Sequence, residues 1–143
     1  MFVVKHGEKK HELMYAECSR LYCIPQKEKD DVVKLWRETN DGMYWVHKSS
    51  VPNKDEFGII GMQVARRTIR LNVLIRDMLG VHHYYHLYET EILVQQSDTH
   101  TVTRFVGTLL TLRNILIVNI SLLLNASLSR SARNKGSSNI DSE

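Results

Sequence analysis

The densest set of ligand-type side chains is His82, His83 and His86, followed by Glu89 and Glu91. On a helix, His82 and His86 would lie one turn apart with Glu89 close by, an arrangement that suits a metal ion. On a strand, His82 and His86 share one face while His83, Glu89 and Glu91 share the other, so the set does not converge. The order also lacks the H-E-x-x-H pattern that places a glutamate as base. The histidines are therefore read as structural or surface groups, and neither a metal nor a cofactor is expected.

A second test concerns nucleases that hold magnesium on a strand pair with an Asp and then a Glu-x-Lys. Asp77 with Glu89 or Glu91 has roughly workable spacing, but the lysine that stabilises the attacking hydroxide is missing. Pairing of Glu89 and Glu91 across the strands with Arg70 and Arg76 is the more ordinary use of these charges. A divergent or inactive nuclease is the third functional expectation.

The arginines allow another chemistry. Net charge is only +3, yet residues 1–60 hold ten basic and ten acidic side chains while Arg66, Arg67, Arg70 and Arg76 cluster against Asp77. Such a patch suits a polyanion. With Tyr84 and Tyr88 available to stack on bases, nucleic-acid binding by this hairpin is the second expectation.

Other chemistries are excluded more directly. There is no G-x-S-x-G, no phosphate loop and no dinucleotide fingerprint; the glycines of FGIIG are flanked by bulky apolar residues. Cys18 and Cys23, five apart, fit neither a zinc knuckle nor a redox pair and are read as reduced, buried thiols. The N-terminal apolar run is three residues long, too short for a secretory signal, so an intracellular location, cytoplasmic or nuclear, is expected. The sequons at Asn119 and Asn125 are read as chance. The abrupt start is compatible with a trimmed fragment of a longer protein. No catalytic residue is assigned.

The elements that must position these residues follow from periodicity. Ile69, Leu71, Val73 and Ile75 alternate with polar residues as a strand with one buried face does. Residues 81–94 are rich in Tyr, Val, Ile and Thr and read as its neighbour, and residues 57–64 as a strand weakened by two glycines. MYWVH at 43–47 reads as a fourth strand, giving an antiparallel meander over 43–96. Pro25, early acidic residues and Asn40-Asp41-Gly42 bracket a short helix, about Gln26 to Glu38, with Val32, Leu35 and Trp36 on one face. Phe2-Val3-Val4 could form a short strand, and Leu13, Met14, Ala16, Leu21 and Tyr22 hint at helix, so residues 1–42 are expected to be mainly helical.

The C-terminal helix, 98–126, is the clearest, with a narrow stripe of small or polar residues at Thr103, Gly107, Thr111, Asn114, Ser121 and Asn125. Arginines divide its apolar run, and the stretch between Arg113 and Arg130 falls short of the ~20 residues a span needs, so no membrane partner is expected. The expectation is one α+β domain over 1–128: an antiparallel meander of about four strands packed against a long C-terminal helix, with a disordered tail over 129–143. That helix carries more apolar surface than such a sheet can cover. The leading functional expectation is therefore a non-catalytic interaction module with a protein partner, or a homodimer, through Leu109, Leu112, Leu116, Ile120 and Leu123.

Overall fold

A computed structural model describes residues 1–6, 8–20, 22–51, 56–93 and 98–128; the expected tail lies outside them. Strands β1 (Phe2–His6) and β2 (Lys9–Cys18) form a hairpin, followed by helix α1 (Pro25–Ser49) and short β3 (Ser50–Val51). Then come β4 (Gly58–Ala65), β5 (Thr68–Arg76) and β6 (His82–Glu91), helix α2 (Thr99–Leu124) and short β7 (Ser127–Leu128). Five strands make one sheet in the order β1-β2-β4-β5-β6. The sheet is mixed: β2 runs parallel to β4, and the other neighbours are antiparallel.

Three expectations are corrected. The sheet is mixed and five-stranded, not an antiparallel meander of about four strands, because the β1–β2 hairpin joins it and α1 carries the chain across to a parallel neighbour. The N-terminal segment is a hairpin and not a helix, because its apolar residues alternate around a bulge: Phe2 pairs with Met14 and Val3 with Glu12, leaving Leu13 as the extra residue. MYWVH is the end of α1 and not a strand. The buried side of α1 is Asp31, Leu35, Thr39, Gly42, Met43 and Val46, steps of three and four apart from the adjacent pair Gly42-Met43, and it runs through the supposed stop. Gly42 does not end the helix. It lets the helix approach the sheet, since a Cβ there would stand 2.9 Å from the ring of Tyr15. Val32 and Trp36 face outward; only Leu35 of the expected trio is buried.

Because β2 and β4 are parallel, α1 is their crossover, and it packs on the face of β2, β4 and β5 that carries Tyr15, Glu17, Ile59, Gly61, Gln63, Arg70 and Leu74. The other face presents Ile60, Leu71 and Val73, which are buried as well, and α2 is the element left to cover it. It begins beside β6, where Arg104 donates to the Glu89 carbonyl (3.0 Å). It ends against the first residue of β4, where Asn119 bonds Gly58, and its Leu116, Ile120 and Leu123 pack into the core with Leu13 and Phe57. Asp98 caps it, accepting from the Thr101 N–H at 2.7 Å. The pairing of β3 with β7 ties the chain after α1 to the chain after α2.

Candidate functional site

The arginine-rich hairpin exists as β4–β5 and β5–β6, but its side chains are not gathered on one surface. Arg70 lies under α1 and is bound on both sides, by Glu28 of α1 and by Glu89 of β6, the latter at 2.9 Å. The hydrogen bond from Arg70 holds the Glu28 carboxyl below its ordinary range, and the two carboxylates push the guanidinium further up. Arg66 is 3.8 Å from the same Glu28, while Arg67 points to solvent in the turn. The Nε of Arg76 is buried without a hydrogen-bond partner, beside Gly80. Tyr84 is beneath α1 over Gly61, and burial pushes its hydroxyl up to about 12. Tyr88 is exposed on the opposite face of the sheet. Arg70, Arg76 and Tyr84 are thus interior groups of the α1 layer, and no continuous strip of arginine and tyrosine faces a ligand.

The histidines are each engaged locally. His82 Nδ1 meets Asn40 Oδ1 at 2.6 Å, His86 Nδ1 meets Asn72 Oδ1 at 3.1 Å, and His83 Nε2 meets Asp77 Oδ2 at 2.9 Å. One face assignment changes. Leu71 pairs with Tyr88 and Asn72 with His86, so Leu87 is a bulge residue that brings Glu89 to the side of His82 and His86. Even so, no three His, Cys, Asp or Glu side chains among the described residues are placed to hold a metal ion. Asp77 follows the Arg76–His82 pair at one end of the hairpin, and Glu91 pairs with Thr68 at the other, about 30 Å away at strand spacing. Those two carboxylates do not meet at one ion. Asp77 instead closes its turn, accepting from the Val81 N–H at 2.8 Å.

The feature without an internal use is a flank of α2. At 3.6 residues per turn, Val102, Val106, Leu109, Leu110, Ile117 and Leu124 fall within about 100° of one another. Their exposure runs from 37% to 51%. Arg104, which reaches β6, lies on the opposite flank, so the apolar flank turns away from β6 toward β2. There the sheet is only half covered: Ala16, Met62 and Val64 are half-buried, and Cys18, expected to be buried, is exposed while Cys23 is half-buried. The flank and this strip of sheet are both left open, with Arg113 as the charge inside the flank. Of the five residues expected from sequence, Leu109 is on this surface and Leu112 is half-buried, whereas Leu116, Ile120 and Leu123 pack against the core. Val102, Val106, Leu110, Ile117 and Leu124 were not singled out. A helical wheel centred opposite Arg104 would have found them.

By length and composition α2 is apolar enough to cross a membrane, with a mean hydropathy of 1.7 over its best eighteen-residue window and 17% of that window buried. Its polar contacts argue for the sheet-packed position. The buried Asn119 amide bonds both backbone groups of Gly58, and Arg104 holds Glu89, contacts that insertion would break. Compared with family models, with curated proteins and with solved structures, the chain matches none of them.

Proposed function

We propose that the chain is a non-catalytic interaction module that associates with a second copy of itself through the apolar flank of α2 and the adjoining floor of β2 and β4. The observation that supports this reading is the six half-exposed apolar residues along one flank of a helix whose Thr108, Asn119 and Leu123 are buried against the rest of the fold. The flank is about 35 Å long and roughly 10 Å wide; with a floor of similar size it offers on the order of 700 Å². That approaches the roughly 800 Å² each partner buries in a standard interface. A projecting helix edge beside an open strip of sheet is self-complementary about a two-fold axis: each helix edge covers the other copy's floor. Arg113 reaches the rim along its aliphatic stem.

Sedimentation velocity over a concentration series tests this. Leu109→Asp or Ile117→Asp weakens the dimer by about 10- to 100-fold, the burial of one leucine-sized side chain. Val118→Asp, equally exposed but on the other flank, leaves it intact. A parent chain that stays monomeric at high micromolar concentration removes the reading. Leu116→Asp and Ile120→Asp are unsuitable probes, because both residues pack on the core and their loss unfolds the domain.

A further inference from the structure

Arg70 and Arg76 are used internally, and a separate group of exposed positive charges sits at the β1–β2 edge of the sheet. The bulge at Leu13 leaves Val3, Lys5, Lys10 and Glu12 facing the last turns of α1, and between hairpin and helix lies an open cleft of about 1330 Å³. Lys5 stands directly opposite Lys10 across the strand pair, and His6 opposite Lys9. Like charges in directly opposed positions destabilise a hairpin. Neither Lys5 nor Lys10 has an ion-pair partner among the described residues. Two carboxylates line the cleft, Glu8 and Glu12, and Glu12 accepts from the Tyr15 hydroxyl at 2.6 Å.

The helix wall supplies a second, independent feature. Trp45 is 60% exposed at the cleft, edge-on to Tyr44 with ring centres 5.4 Å apart. The Lys48 ammonium lies 4.8 Å from the Trp45 ring centre. Lysines that guard an edge strand against sheet addition would explain β1 alone. They do not explain a lysine on the inner strand, nor an exposed tryptophan and a third lysine across the gap.

We propose that this cleft binds single-stranded nucleic acid, with a base stacked on Trp45 and phosphates on Lys5, Lys10 and Lys48. A base must leave its duplex stack to lie on a side chain, which favours single strands. An acidic peptide would use the lysines and leave Trp45 idle.

The test is fluorescence anisotropy of labelled oligo(U) and oligo(dT) with the full chain at two salt concentrations, alongside quenching of Trp45 in a Trp36→Phe background. Three phosphate contacts on a single strand predict a log–log salt slope of about −2, roughly 20-fold weaker binding for a fourfold rise in salt. Trp45→Ala weakens binding about tenfold or more. Lys5→Gln with Lys10→Gln and Lys48→Gln removes most of the salt dependence. Arg66→Gln with Arg67→Gln, exposed in the β4–β5 turn, changes neither. Absence of binding at low salt overturns the proposal. So does binding that Trp45→Ala leaves unchanged, equal affinity for duplex, or polyglutamate that quenches Trp45 as the oligonucleotides do.

Discussion

Asn119 completes the hydrogen bonding of Gly58: its Oδ1 accepts from the Gly58 N–H at 3.2 Å and its Nδ2 donates to the Gly58 carbonyl, all in a buried position. One amide on α2 thereby replaces a ladder partner for the first residue of β4, 61 residues earlier in the chain. Helix and sheet are joined by a polar contact that tolerates no loose geometry, because both backbone groups are shielded from water. Asn119→Leu leaves them without partners and costs about 2–4 kcal/mol in a urea unfolding series. A loss below about 0.5 kcal/mol would show that water reaches Gly58.

The second contact surface, α1 on the sheet, turns on Gly61 and Tyr84. A Cβ at Gly61 would stand 2.5 Å from the Tyr84 hydroxyl and 3.4 Å from the Thr39 methyl, and Thr39 is fully buried. The Tyr84 hydroxyl is itself buried near Asn72 without an ordinary hydrogen bond. Gly61→Ala therefore overpacks the interface and costs about 1–3 kcal/mol. Tyr84→Phe is neutral or slightly stabilising, since it removes an unsatisfied polar group. In the Tyr84→Phe background the cost of Gly61→Ala falls by about half or more, a coupling that a double-mutant cycle reads directly. Additive effects would mean that the clash lies elsewhere.

Much of this was legible in the sequence, and the failures have identifiable causes. Alternation in Ile69, Leu71, Val73 and Ile75 placed β5, and a dense apolar run placed α2. The hairpin β1–β2 was hidden by Leu13: the bulge sets Leu13 beside Met14 and breaks the period of two, so a strand looked like a fragment of helix. MYWVH was hidden by propensity. Aromatic and β-branched residues favour strands, but Gly42, Met43 and Val46 continue a stripe begun at Asp31, and packing on the sheet outweighed local preference. With α1 read as ending at Glu38 there was no crossover, hence no parallel pair between β2 and β4. The site was less legible than the fold. Residue type alone made Arg70 and Tyr84 resemble a ligand surface, and only register shows that both lie beneath α1 beside Glu28 and Gly61.

Acidification destabilises the fold in two stages. Burial, and then the positive charge of Arg76, lowers the pKa of His82; burial, and then His6 and Lys9, lowers that of His11, which contacts Ser49 Oγ at 3.5 Å. A histidine whose folded pKa is depressed contributes stability above its unfolded value near 6.5, and that contribution is lost as pH falls below it, because the unfolded chain then binds more protons. The carboxylates add the same sign lower down. Glu28 is held down by Arg70, Asp77 by His83 and the Val81 N–H, and Asp98 by the Thr101 N–H, so their contributions are present above about pH 4 and lost below it. Urea midpoints should therefore fall between neutral and mildly acidic pH and fall again in stronger acid. His82→Gln, which keeps a donor for Asn40 without a titrating ring, reduces the first stage to the share of His11 and leaves the second. A midpoint that holds or rises on the first acidification step would mean that the two histidines are charged in the folded chain, and that α1 sits less closely on β2 and β6 than Asn40 and Ser49 imply.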